Sequence, residues 1–114
     1  MPQITARRIL AALPVVAVLW APAASAEDST FSLTIRNHRF EPETITVPAN
    51  TRFRLMIENA DPTPEEFESH TLNREKVIPG KSKAVVLIGP LKAGTYPFVG
   101  EFHEATAKGK IVAK

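Results

Sequence analysis

No cysteine occurs among the 114 residues. Disulfides are therefore excluded, and so is any metal centre that depends on a thiolate. Glycine is scarce, with 5 residues, and none of them belongs to a Gly-rich phosphate loop. Aromatic residues make up 7% of the chain, too few for a stacking platform. Serine and threonine are scattered without a Ser-His-Asp arrangement, so hydrolytic machinery is not indicated. A basic surplus is missing as well. The formal net charge is +2, and Arg7 and Arg8 account for it; from residue 27 onward 12 Lys+Arg face 12 Asp+Glu. Nothing in that balance suggests a nucleic-acid partner, which calls for a basic excess on one face. Internal repeats and low-complexity tracts are also missing.

What the chain does carry begins with an apolar run near the N-terminus. Arg7 and Arg8 precede an apolar stretch over residues 9–21, and Ala24-Ser25-Ala26 follows as a small-residue cleavage signal. This is the layout of an export signal over residues 1–26. The run is shorter than the roughly 20 residues a permanent membrane helix needs. The mature chain is expected to begin near Glu27, to contain no membrane span, and to work in a periplasm. The 88 residues that follow suffice for one small domain over 27–114. A core of that size draws support from tight turns, a bound metal or oligomerisation, for example as a homodimer.

Period-two alternation dominates those residues. Phe31, Leu33 and Ile35 alternate with Ser32, Thr34 and Arg36, and Phe53, Leu55 and Ile57 alternate with Arg54, Met56 and Glu58. Each is the pattern of a half-buried strand. Ile45 and Val47 mark a short strand before the turn cluster Pro48-Ala49-Asn50. Pro79-Gly80 and Gly89-Pro90 bracket an apolar run over residues 84–88. Residues 95–99 and 110–113 complete about seven short strands. Residues 63–66 and 104–108 are expected to form a helical turn at most. This inventory predicts an all-β, antiparallel β-sandwich.

The last stretch, Tyr96-Pro-Phe-Val-Gly100-Glu-Phe-His103 with Ala107 and Gly109, resembles the ligand loop of cupredoxins, the blue-copper proteins. In that loop a cysteine follows the tyrosine by four positions, then come a histidine, a methionine and a glycine. His103 and Gly109 match. Gly100 stands at the thiolate position and Ala107 at the position of the axial methionine. Phe40-Glu-Pro42 resembles the bend that opens the fold. Asn59 with Asp61-Pro-Thr-Pro-Glu65 resembles the strand and loop delivering the first ligand histidine, with Glu65 in its place. The likeness covers essentially all of the expected mature chain and implies a Greek-key cupredoxin-like sandwich. Pro64-Glu-Glu-Phe-Glu-Ser69, Gly89-Pro-Leu-Lys-Ala-Gly-Thr-Tyr96 and Glu101-Phe-His-Glu-Ala-Thr-Ala-Lys-Gly109 resemble one subfamily. These are periplasmic cupredoxins that accompany bacterial high-affinity iron permeases.

By that resemblance His38, Glu65 and His103 meet at one end of the sandwich. Strand parity places Glu65 on the core side with Phe67, and Glu66 and Glu68 on the other. Glu101, two residues before His103, offers a further carboxylate. The expected metal set is His103, His38, Glu65, Glu66 and Glu101, in a site without blue colour. Imidazole and carboxylate together suit Fe(II), Cu(II), Mn(II) or Zn(II) better than Cu(I), and copper or iron is the expected metal. The expected partners are a membrane iron permease and a periplasmic iron-transport protein, with oxidation of Fe(II) to Fe(III) as the candidate activity. A non-enzymatic copper or iron carrier and a metal-free interaction module remain open. So do the plain readings in which His103 caps its loop, His38 is exposed and Glu65 is solvated. His70 is expected on the surface.

Overall fold

The structure is a computed structural model and describes residues 28–114, together with Pro14. The expected export signal over 1–26 lies outside the described residues. Nine strands form the domain: β1 Ser29–Arg36, β2 Arg39–Glu41, β3 Thr44–Val47, β4 Phe53–Asn59, β5 Glu65–Ser69, β6 Arg74–Ile78, β7 Ser82–Ile88, β8 Gly94–Gly100 and β9 Lys108–Ala113. A single 3₁₀ turn, Glu101–His103, follows β8. No helix among the described residues is long and apolar enough to cross a membrane.

The strands assemble into a four-stranded sheet, ordered β2-β1-β4-β7, and a five-stranded sheet, ordered β3-β9-β8-β5-β6. Alternation supplies each sheet with one apolar face. Leu33, Ile35, Leu55 and Ile57 from the first sheet meet Ile45, Phe67, Phe98 and Ile111 from the second, all 5% exposed or less. Phe40 contacts Phe98 edge-on at 4.9 Å between ring centroids, and Phe98 lies 5.1 Å from Phe67. Burial of each such side chain is worth about 2 kcal/mol, and the three rings hold together the strands that converge on the candidate site.

The all-β sandwich is as expected, with one correction to its pairing. Both sheets are mixed, because β1 runs parallel to β4 and β3 parallel to β9. Alternation of side chains is the same in both directions, so the sequence pattern carries no sign of strand polarity. The expected helical turn over residues 63–66 is also corrected. Residues 65 and 66 open β5, where Glu65 pairs with Ile78 and Glu66 with Val77.

Candidate metal centre

The residue that sets the site is Glu65. It begins β5 on the same side as Phe67, and it is 1% exposed. A carboxylate in such a place requires partners for its lone pairs, and it has them. Oε1 accepts the amides of Phe102 at 2.9 Å and of Glu66 at 3.0 Å. Oε2 lies 2.6 Å from Nδ1 of His103. Against an ionised carboxylate, which only accepts, Nδ1 is the donor, and a neutral His103 then has its lone pair at Nε2. A carboxylate behind an imidazole in this way fixes both its tautomer and its orientation.

Space for Glu65 comes from two small residues. A Cβ on Gly100 would fall 2.6 Å from Cβ of Ala107 and 2.7 Å from Cδ of Glu65. The carboxyl therefore lies where a side chain at position 100 would have to go. The volume that the resemblance assigns to a thiolate is filled by carboxylate instead. Gly109 has a packing explanation of its own, since a Cβ there would sit 2.5 Å from the ring of Phe98.

His38 reaches the same end of the molecule from the β1–β2 hairpin. Arg36 pairs with Arg39, leaving Asn37-His38 as a two-residue turn. Both turn residues have positive φ, 52° for Asn37 and 58° for His38. A right-twisted hairpin favours such a turn, but glycine is the usual second residue. Histidine there costs about 1 kcal/mol in backbone strain. Asp61 offsets that strain: its Oδ1 accepts the amide of Asn37 at 2.8 Å and its Oδ2 that of His38 at 2.9 Å. From the opposite side the hydroxyl of Thr106 donates to the carbonyl of His38. The imidazole is thereby laid flat on His103, with ring centroids 3.5 Å apart and planes at 10°.

Asp61 is itself well placed to hold charge. Burial pushes its carboxyl upward, but the amides of His38 and Asn37 and the nearby His38 and Lys81 charges outweigh this and leave it below its ordinary value. Its own amide donates to Oδ1 of Asn59, whose Nδ2 reaches the carbonyls of Thr63 and Ile78.

Two imidazoles on parallel planes keep their in-plane lone pairs within those planes, which do not meet at a common point. Joint coordination of one ion therefore requires a ring to rotate. His103 is held by Glu65, so the ring that turns is His38. The structure thus brings His38, Glu65 and His103 together, with Glu65 spent on His103 rather than offering a free oxygen.

Glu66 and Glu101 are not with them. Glu101, expected to offer a carboxylate beside His103, is turned elsewhere, because β8 ends at Gly100 and the chain enters the 3₁₀ turn. Two residues along such a turn is about 240° of rotation, not a return to the same face. Glu101 instead joins Glu66 and Glu75, with one carboxylate oxygen of each within 4.8 Å of the others. Glu68 stands directly across from Glu75 on the same outer face. Glu66 is held above the ordinary carboxylate range, first by a hydrogen bond shared with Glu101, then by desolvation and the charges of Glu101, Glu75 and Glu68. Glu68 is raised by desolvation first and then by Glu101, while His70, 3.4 Å away and exposed as expected, draws it back.

Sequence reasoning missed Glu75 and Asp61. Cross-strand pairing of β5 with β6 brings the first into the cluster, and β6 shows no alternation. For Asp61 the available signal is the polar pair Asn59 and Asp61, which continues the inward-facing apolar positions Phe53, Leu55 and Ile57.

The profile of the cupredoxin-like domain family matches residues 9–113. An uncharacterised protein of Rickettsia prowazekii is 46% identical over 80 residues, which span 70% of this chain and 64% of that protein. The chain thus spans less than two thirds of that relative's length. Among solved structures, the metal-binding domain of the Cu(I)-exporting P-type ATPase of Streptococcus pneumoniae, with Cu(I), is similar at a TM-score of 0.66 and 14% identity, covering 75% of this chain and 84% of that one. Auracyanin A, a blue copper protein of Chloroflexus aurantiacus, is similar at 0.66 and 14% identity, covering 77% and 100%. Amicyanin from Paracoccus versutus gives 0.59 and 14%, over 78% and 83%. At these identities the likeness is one of fold.

Proposed function

The chain belongs to the cupredoxin-like domain family, and from that premise we propose that it is an exported, non-blue metal-binding protein of iron uptake. His38 and His103 would hold Cu(II), with Glu65 fixing His103 from behind. The observation that carries this reading is the placement of His38. An imidazole on a strained left-handed turn, anchored through both its amide and its carbonyl, and stacked on a second imidazole at 3.5 Å, is an arrangement that packing alone does not call for.

The donor set fits the metal. Imidazole nitrogens with carboxylate or water suit Cu(II), and the missing thiolate removes the ligand that blue copper needs. The outer carboxylates Glu66, Glu68, Glu75 and Glu101 offer hard oxygens suited to iron beside it. Copper would supply a one-electron acceptor for Fe(II), with a terminal oxidant such as dioxygen required for repeated turnover. The residues contribute the rest. Glu65 keeps His103 in the tautomer whose Nε2 can bind, and the outer carboxylates favour the more highly charged Fe(III). Export to the periplasm and work alongside a membrane iron permease and a periplasmic iron-transport protein complete the reading. These rest on the N-terminal signal pattern and the subfamily resemblance.

The test is metal content and Fe(II) oxidation by the purified protein, with and without added copper. Copper-dependent oxidation above the buffer rate, lost when Glu101 becomes Gln, is the expected result. Stoichiometric metal uptake with oxidation at background would assign the protein to carriage instead. Failure to take up copper or iron would leave an interaction module.

A further inference from the structure

We infer that Asp61 is a positioning residue of the metal site: its carboxylate clamps the Asn37–His38 turn and so fixes, beside His103, the backbone from which the His38 ring turns to meet a metal. The inference rests on the reading of His38 as a ligand and extends it to a residue that itself binds no metal.

The argument is geometric. Asp61 comes from the β4–β5 connection, which crosses between the sheets, remote in sequence from the turn it holds. Its two oxygens each take one amide of the turn, at 2.8 and 2.9 Å. A carboxylate accepting two adjacent amides holds the peptide plane between them, which is the unit that decides where the Cα–Cβ bond of His38 points. Without it, a non-glycine residue at φ 58° has reason to leave the left-handed region. Asp61 is in turn fixed. Its amide is held by Asn59 at 3.0 Å, its carbonyl accepts the amide of Lys81 at 2.9 Å, and it is 8% exposed. The rigid interior at the end of β4 is thereby transmitted to an imidazole on the surface. Thr106, whose hydroxyl reaches the carbonyl of His38 from the His103 loop, closes the frame on the other side.

A double-mutant cycle separates positioning from general support. Cu(II) affinity is measured by competition with a chelator for the protein and for His38→Ala, Asp61→Asn and the double variant, each checked by circular dichroism. Asparagine keeps the size of the residue but offers one acceptor oxygen in place of two. We expect His38→Ala and Asp61→Asn each to weaken binding by roughly tenfold, and the double variant to be no weaker than His38→Ala alone. Additive losses would show that Asp61 does not act through His38 and would overturn the inference. So would unchanged affinity in Asp61→Asn while His38→Ala is impaired, a result that spares the ligand reading. Unchanged affinity in His38→Ala would remove the ligand reading and the inference with it. Should Asp61→Asn fail to fold, Asp61→Glu, which keeps the charge but shifts it by one methylene, must show the same non-additivity.

Discussion

Strand β5 carries glutamates to two places that treat them in opposite ways. Glu65 points inward, is almost wholly buried, and meets two amides and an imidazole. Glu66 and Glu68 point outward and meet Glu75 and Glu101, which are also acidic. Burial alone would penalise Glu65 most, yet its carboxylate has a donor for each oxygen. The outer group sits among like charges instead: Glu66, chiefly through its hydrogen bond with Glu101, and Glu68, chiefly through desolvation at 9% exposure, are both held above the ordinary range. The contrast teaches that partners, rather than exposure, decide whether a carboxylate is structural or available. The inner one builds the site, and the outer ones are free to attract a cation.

Replacing Glu65 with Leu should give the largest effect. It strands the amides of Phe102 and Glu66 and unties His103, at about 3 kcal/mol of stability. Calorimetric unfolding would read this as a clear fall in Tm, and an unchanged Tm would break the claim that Glu65 is structural. Next comes Gly100→Ala, where even one methyl group collides with Ala107 and Glu65; overpacking here should cost about 2 kcal/mol. The same substitution made together with Glu65→Ala should cost less than the separate losses predict.

His103→Ala follows, with Cu(II) affinity falling at least tenfold, or about 1.4 kcal/mol, while the far-ultraviolet spectrum stays that of the native sandwich. Copper bound to the unaltered protein should show no intense band near about 600 nm, since no thiolate is present for charge transfer. Intact affinity in His103→Ala would move the metal to the outer carboxylates and reverse the comparison.

The smallest effect concerns pH. Glu66 and Glu68 have raised folded-state pKa values, Glu66 chiefly through its hydrogen bond with Glu101 and Glu68 chiefly through desolvation, so their ionisation weakens stability most at neutral pH. Acidification should relieve this progressively down to the ordinary value of 4.5. Asp61 has the opposite sign. Its contribution is complete above its ordinary value of 3.8 and is lost as pH falls further. Denaturation at stepped pH should thus pass through a shallow maximum in the acid range. Glu75→Gln should flatten its neutral side with a small gain in Tm, since it removes a like charge directly opposite Glu68. A loss of stability in that variant would show that the outer carboxylates hold each other together.

Much of this was legible before the fold was known. Alternation located β1 and β4, and parity with Phe67 turned Glu65 inward. Legibility ended where structure departs from two-fold repetition. β6 has a single buried residue, Ile78, so its Arg-Glu-Lys-Val reads as loop. Val85 and Leu87 lie in a continuous apolar run yet face outward from an edge strand. The direction of Glu101 was not legible, because the 3₁₀ turn that carries it has no signature in the alternation. Asp61 was missed for a different reason: the polar pair it forms with Asn59 is a local signal, but its bonds to residues 37 and 38 cross more than twenty positions and no local pattern encodes them. His38 and His103 could be named from the resemblance, but their stacking could not.

The interlock of Gly100, Ala107 and Glu65 also bears on the routes by which this sequence can change. A thiol at position 100 cannot be introduced while the glutamate is in place, because the two would contend for the same few ångströms. Removing the glutamate first abandons the hydrogen bonds that hold His103. Either single step passes through a poorer protein, and only a paired change crosses directly. The packing therefore acts as a ratchet that keeps the chain on the carboxylate side of its family.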